Sequence, residues 1–166
     1  MELDVPVPAA LSWLNVFDHA GQGRLTVTGW PSKDAARRMR AEGVDLVVNL
    51  MRPDEGGDTL LFRVNAEGIP VVWIPMDIRS LDTKHWVIPP WFLGAISGVA
   101  YRIMKGSKVL IHCYMGQARS AALAAVLVAQ RWGAEQDAEA IDFILKVRPE
   151  ATPNKLIIAH GDTLLG

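Results

Sequence analysis

The chain has 166 residues and a formal net charge of −1, from 17 basic and 18 acidic side chains. At roughly 150 residues per domain, this length predicts a single domain over residues 1–166. Half of the residues are hydrophobic and 21% are charged, which excludes disorder of the whole chain. The near-neutral charge argues against nucleic-acid binding, which needs a basic surface. A single cysteine, Cys113, excludes an internal disulfide and a cysteine-rich zinc module.

The sequence has no pattern typical of a signal peptide or a membrane span. Its first residues are acidic and proline-containing, whereas a secretory signal begins with a basic segment and an apolar run. The two most apolar stretches, 91–104 and 121–129, are shorter than the ~20 residues that a spanning helix needs. We therefore expect two buried helices there, in a cytoplasmic protein that is a monomer.

Short apolar segments alternate with helical patterns in the order β-α-β-α-β-α-β-α. The predicted strands are residues 24–28, 44–50, 70–74 and 108–112. The predicted helices lie between Ser32 and Gly43, at 60–67 behind a cap at Asp58, and at 90–105, 120–132 and 135–147, with a further short helix within 152–166. This order predicts an α/β fold with a mainly parallel central sheet of about four to five strands and helices on both faces.

Three chemically distinct side chains follow predicted strands. In open parallel sheets, ligands bind outside the carboxyl ends of the strands. Arg52, Asp77 and Cys113 each come shortly after such an end. We therefore expect a cation, a carboxylate and a thiol at one rim. For Arg52, either a solvated charge or a contact to substrate or to the acid-bearing loop fits the sequence.

The loop after the last predicted strand is the most informative segment. It reads His-Cys-Tyr-Met-Gly-Gln-Ala-Arg-Ser, with five residues between Cys113 and Arg119. Backbone N–H groups of such a tight loop can form a nest for an anion. The following helix N-terminus adds partial positive charge, and Arg119 adds a bidentate fork. This cradle suits phosphate or sulfate, and the same field favours the thiolate form of Cys113.

Cys-x5-Arg, preceded by His112 and followed by Ser120, resembles the signature of the cysteine-dependent protein tyrosine phosphatases, especially their dual-specificity branch. The resemblance extends over most of the chain, through segments 29–31, 48–50 and 74–77. It implies a phosphatase-like fold and hydrolysis of phosphotyrosine, with phosphoserine and phosphothreonine as further substrates. No metal or cofactor is implied. The expected partner is a phosphorylated protein or a small phosphomonoester.

The resemblance also implies a role for each loop residue. Cys113 would attack phosphorus and form a cysteinyl-phosphate, and Arg119 would hold the equatorial oxygens. Ser120 would hydrogen-bond the sulfur and help it leave, while His112 would support the thiolate from behind. The substrate would lie against the loop residues, which are Tyr114, Met115, Gly116, Gln117, Ala118 and Arg119.

Two features depart from the usual pattern of the family. Ala118 stands where Gly or Ser is frequent, although its small side chain still permits a closed loop. The general acid is ambiguous, because Asp77 fits the strand end and Asp82 lies closer to the usual spacing before the cysteine. Asp54, or no acid at all, completes the alternatives.

Other functions fit parts of the same pattern. A phosphatase of a small molecule or lipid would share the loop, but the absence of charge at loop positions 114, 115, 117 and 118 disfavours a highly anionic polyphosphoinositide. A phospho-binding module without catalysis would have lost the cysteine, the arginine or the acid, and Cys113 and Arg119 are both present. Sulfur transfer of the rhodanese type uses a loop cysteine without this His-Cys and Arg-Ser frame.

Overall fold

A computed structural model describes residues 14–15, 24–28, 33–76, 90–114, 118–132, 137–147, 149–153 and 157–158. Its strands are β1 (Leu14–Asn15), β2 (Arg24–Thr28), β3 (Leu46–Asn49), β4 (Val71–Trp73) and β5 (Lys108–His112). Its helices are α1 (Lys33–Ala41), α2 (Gly57–Asn65), α3 (Pro90–Met104), α4 (Arg119–Trp132) and α5 (Asp137–Val147), and a 3-10 turn covers Pro53–Glu55.

The five strands form one sheet in the order β1-β2-β5-β3-β4. Strands β2, β5, β3 and β4 run parallel, and β1 pairs antiparallel with β2 at one edge. His112 of β5 lies level with Thr28 of β2 and Asn49 of β3, and Asn49 lies level with Trp73 of β4. The carboxyl ends of the four parallel strands therefore form one rim, and the α/β prediction is confirmed.

Both faces of the sheet are covered, because successive residues of a strand point to opposite sides. Val48 and Ile111 belong to a core cluster that includes apolar side chains of α3, α4 and α5. Val47 and Leu110 belong to a second cluster with side chains of α1 and α2. The uninterrupted apolar runs of β3 and β5 follow from this burial on both sides.

Helix α4 lies in the middle of the larger cluster. Every residue from 119 to 129 is buried, since small alanines allow close approach on all sides of the helix. A helix that is apolar all round is typical of a buried position. Helix α4 is the next element after β5, and its amino terminus lies at the rim, where the surrounding core fixes its position.

The predicted bounds of β3 were wrong in detail. The stretch 44–50 was predicted as one strand, but the N–H of Val44 bonds the carbonyl of Met39 and so closes α1. Gly43 ends that helix with φ +75°, and Gly106 ends α3 with φ +98°, as expected for glycines after helices. The strand itself begins two residues later than predicted.

Helix α2 begins earlier than the sequence predicted. The 3-10 turn leads directly into it through Gly56, which has φ +89° and provides no side-chain cap. Asp58, predicted as the cap, lies inside the first turn, and its carboxylate accepts a hydrogen bond from the N–H of Thr59. Across the described parts of the chain, no helix combines the length and hydropathy needed to cross a membrane.

Ile111→Ala should lower the free energy of unfolding by about 2–5 kcal/mol, because it opens a cavity in the larger cluster. Ile111 is completely buried, whereas Met104 on α3 is 54% exposed. Met104→Ala is the control and should change stability by less than about 0.5 kcal/mol. Urea denaturation followed by circular dichroism measures both. Equal losses in the two variants would contradict the described core.

Candidate active site

The thiol and the hydroxyl of the signature segment meet at the rim. Cys113 follows β5 directly and is 2% exposed, and Ser120 lies in the first turn of α4 and is fully buried. The Cys113 Sγ and the Ser120 Oγ are 3.2 Å apart, within hydrogen-bonding distance for sulfur. The end of β5 and the start of the buried helix α4 therefore bring the Cys113 sulfur to a polar neighbour at a helix N-terminus.

Arg119, the first residue of α4, contacts the ends of two neighbouring strands. Its Nη1 donates to the carbonyl oxygens of Leu50 and Met76, each at 3.2 Å. The N–H of Met76 in turn donates to the same Leu50 carbonyl at 3.1 Å. Arg119 is 6% exposed, so its guanidinium is held in place beside the loop.

The charge of Arg119 is balanced by Glu55. The Glu55 carboxylate accepts from Nη1 at 2.7 Å and from Nη2 at 2.6 Å, and the two side chains are 15% and 7% exposed. Burial raises the pKa of Glu55, but hydrogen bonds from Arg119 and from the Arg52 backbone, with both positive charges, outweigh it and lower the pKa overall. Removing one partner of such a buried pair typically costs about 3–5 kcal/mol.

The turn that carries Glu55 is fixed by polar contacts to the sheet. The side-chain amide of Asn49 donates to the carbonyl of Gly57, and its oxygen accepts from the N–H of Met51, both at 2.9 Å. The indole of Trp73 donates to the Met51 carbonyl at 2.7 Å. A Cβ on Gly57 would lie 2.7 Å from that carbonyl oxygen, so only glycine fits.

His112 lies behind the cysteine at the end of β5. It is fully buried, and neither ring nitrogen has a hydrogen-bond partner among the described residues. Burial lowers the pKa of His112 to about 4, the Cys113 backbone opposes the shift, and the positive charge of Arg119 adds to it. His112 is therefore a neutral imidazole at pH 7.

The structure brings together four of the residues that the sequence singled out, which are His112, Cys113, Arg119 and Ser120. Tyr114 and Ala118 flank them and are partly exposed. Met115, Gly116 and Gln117 lie outside the described residues, as do both candidate acids, Asp77 and Asp82.

Arg52 and Asp54 pair with each other. The sequence had left the role of Arg52 open and had offered Asp54 as an alternative general acid. The Nε and Nη2 of Arg52 donate to the Asp54 carboxylate at 2.9 and 3.2 Å. The Asp54 side chain is 63% exposed. The described contacts therefore show an Arg52 side chain paired within its own turn rather than a solvated charge, and its contact to substrate or to the acid-bearing loop stays a prediction.

Glu55 was not identified by sequence reasoning. It is 64 positions from Arg119 in the chain, and no local spacing joins the two. The available signal was a Pro-Asp-Glu-Gly-Gly turn placed at a strand end on the ligand-binding rim. The contact between Arg52 N–H and the Glu55 carboxylate, at 3.0 Å, is a local cap that such a turn permits.

The fold and the signature segment define a cysteine-dependent phosphatase. The catalytic domain of the dual specificity phosphatases matches residues 28–160, most of the chain. The chain therefore belongs to the dual specificity phosphatase family. No curated protein sequence matches it.

Solved phosphatases share this fold at low sequence identity. A kinase associated phosphatase, with its catalytic-site cysteine replaced by serine, has a TM-score of 0.70 and 17% identity, over 96% of this chain and 97% of that chain. PTPMT1 has a TM-score of 0.67 and 18% identity, over 93% and 94%. Human DUSP28 has a TM-score of 0.60 and 19% identity, over 85% of this chain and 90% of that chain.

The lowered pKa of His112 makes the folded protein less stable as pH falls. Between pH 6.5 and about 4 the unfolded chain binds a proton at this imidazole and the folded chain does not. Wild type should therefore lose about 2–3 kcal/mol from this group between pH 7.5 and 4.5. Urea denaturation at several pH values, compared with His112→Asn, isolates the effect. If the free energy of unfolding changed with pH equally in the two proteins, the lowered pKa of His112 would be contradicted.

Proposed function

We propose that this phosphatase hydrolyses phosphotyrosine, and also phosphoserine and phosphothreonine, through a cysteinyl-phosphate intermediate. The observation that carries the proposal is the meeting of Cys113, Arg119 and Ser120 where β5 ends and α4 begins, with sulfur and hydroxyl 3.2 Å apart. A thiol, an anchored guanidinium and a helix N-terminus at one place are suited to phosphoryl transfer.

In the first step, the Cys113 thiolate attacks phosphorus in line with the leaving oxygen. The S–P bond forms as the P–O bond breaks, and the leaving oxygen takes a proton from an aspartic acid. Asp77 and Asp82 are the candidates for that acid. Arg119 and the backbone N–H groups of the loop would stabilise charge on the three equatorial oxygens.

In the second step, water attacks the same phosphorus and the S–P bond breaks. The aspartate formed in the first step accepts a proton from that water. The hydroxyl of Ser120, 3.2 Å from the Cys113 sulfur, would donate a hydrogen bond to that sulfur as it departs. His112, neutral and buried behind the loop, supports the position of the cysteine without exchanging protons with substrate.

Hydrolysis of p-nitrophenyl phosphate in EDTA should follow a bell-shaped pH profile and vanish in Cys113→Ser. This variant keeps the size of the side chain and removes the nucleophile. Asp77→Asn, Asp82→Asn and Asp54→Asn are matched charge changes. The variant of the true acid should lose the basic limb of the kcat profile, with a rate reduced by about 10²–10⁴-fold. Asp54→Asn should behave as wild type, because Asp54 pairs with Arg52.

The substrate class is tested by comparing turnover of different phosphomonoesters by the wild-type protein. Phosphotyrosine, phosphoserine and phosphothreonine peptides are compared with PI(5)P, the lipid bound in a solved structure of PTPMT1. We expect the peptides to be the better substrates. Preference for the lipid would move the assignment to a lipid phosphatase, and phosphate binding without turnover at any pH would indicate a binding module.

A further inference from the structure

We propose that a groove between α1 and α2 binds an acidic segment of the phosphoprotein substrate that carries one apolar side chain. The assignment of this segment to a substrate rests on the proposed function. The binding itself rests on the shape, the apolar lining and the charge of the groove. The segment would add affinity at a distance from the reacting phosphate and take no part in bond making.

The groove lies on the face of the sheet that α1 and α2 cover. Its volume is about 440 Å³, within the range of natural ligand pockets. Most of its lining comes from α2, through residues spaced three and four apart that share one face of the helix. The lining residues are Arg37, Thr59, Phe62, Arg63, Ala66 and Glu67.

Phe62 gives the groove an apolar wall that the fold leaves in water. Its side chain is 74% exposed, the largest value among the exposed large hydrophobic residues in the described parts of the chain. Val64, two positions later, is buried in the smaller core cluster, so α2 packs on the sheet through a different face. Phe62 therefore adds little to the core, and its burial under an apolar side chain of a partner would be favourable.

The opposite wall of the groove is basic. Helix α1 contains four basic side chains and one acidic side chain, whereas the whole chain has a net charge of −1. Arg37 and Arg40 are 71% and 70% exposed and approach Glu67 at 4.0 and 3.7 Å. Exposed ion pairs contribute little to folding, so fold stability accounts for little of this basic surface. A segment rich in Asp and Glu complements its charge.

A peptide fits this groove better than an anionic lipid surface does. The groove is concave and Glu67 lines it, so anionic headgroups would meet a carboxylate. A helix that lies on a membrane presents several large apolar side chains beside its basic ones. A peptide can instead place one apolar side chain against Phe62 and its acidic residues beside Arg37 and Arg40.

The groove extends away from the rim where Cys113 lies. Helix α2 begins after the turn that follows β3, and its nine residues span about 14 Å toward the start of β4. One substrate chain can therefore place its phosphate at the rim and a second segment in the groove. Contact at the groove would raise the effective concentration of the phosphate at the rim.

Binding is measured first, with a probe that contains no phosphate. The probe is a fluorescein-labelled peptide with a central leucine between runs of glutamate, and its binding is followed by fluorescence anisotropy. We expect Phe62→Ala to weaken binding at least about tenfold. Tyr101→Ala on α3, where the side chain is 54% exposed, is the matched control and should stay within about twofold of wild type.

The charge of the groove is tested with the same peptide. Arg37→Gln should weaken binding about fivefold, the upper range for one exposed charge pair. Lys105→Gln removes one exposed positive charge just after α3 and should have no effect beyond about twofold. A peptide with glutamine in place of glutamate should bind wild type more weakly, and added salt should weaken the binding of the glutamate peptide.

Turnover tests whether the segment belongs to a substrate. A phosphotyrosine peptide is joined to the acidic segment through a flexible Gly-Ser spacer of about 12 residues. Its kcat/KM should exceed that of the unextended peptide at least about tenfold through a lower KM. Phe62→Ala should remove this gain, while its turnover of p-nitrophenyl phosphate stays within about twofold of wild type.

Thermal unfolding shows which variants are folded before the results are compared. Absence of peptide binding by wild type, or equal affinity in folded Phe62→Ala and Tyr101→Ala, overturns the proposal. If Phe62→Ala does not fold, Arg37→Gln against Lys105→Gln decides.

Two further outcomes identify what has failed. Phe62-dependent binding to vesicles of phosphatidylcholine and phosphatidylserine, without binding of the peptide, would overturn the proposal in favour of a membrane surface. Peptide binding without a gain in kcat/KM would overturn the assignment of the segment to a substrate. Peptide binding by a protein that does not hydrolyse p-nitrophenyl phosphate would support the groove while rejecting the proposed hydrolysis.

Discussion

The buried ion pair between Arg119 and Glu55 joins the parts of the site. Through it and the adjacent carbonyls, the start of α4 is bonded to the ends of β3 and β4 and to the turn that follows β3. A cation needed for phosphate would be costly to bury alone, because desolvation penalises an unpaired charge. Glu55 balances this charge. Its carboxylate bonds Nη1 and Nη2 and does not cover the edge of the guanidinium that carries Nε.

The larger fold supplies the rigidity that this pair requires. The parallel sheet brings four strand ends to one rim, and the buried helix α4 places Arg119 and Ser120 beside it. The helix N-terminus contributes partial positive charge without a titratable group. His112 lies behind Cys113 as a neutral ring, so it adds no positive charge beside Arg119 at pH 7.

The sequence predicted most of this fold because its signals are local. Continuous apolar runs predicted β3 and β5, glycines predicted the ends of α1 and α3, and Cys-x5-Arg predicted the segment where Cys113, Arg119 and Ser120 meet. The two-residue strand β1 was not predicted, since its pairing with β2 is a tertiary contact. The start of α2 was misplaced because a 3-10 turn, and not a capping side chain, begins it.

The pairing of Glu55 with Arg119 is a contact that local sequence patterns cannot predict. Arg119 is distant from Glu55 in the sequence. Glu55 and the neighbouring Asp54 are both acidic, so the sequence does not distinguish them. Only the ladder that places β3 beside β5, with the Asn49 contact that bends the turn inward, distinguishes the two carboxylates. The general acid stays a prediction for a related reason. The strand end favours Asp77, the spacing before Cys113 favours Asp82, and no local pattern decides between them.

A crystal structure with tungstate, a tetrahedral mimic of phosphate, tests the central claim most directly. The account predicts the tungsten atom opposite the Cys113 Sγ, with two oxygens bonded to the Nε and Nη2 of Arg119. Glu55 should keep its bonds to Nη1 and Nη2. An anion bound elsewhere, or an Arg119 that leaves Glu55 to bind it through Nη1, would contradict the account.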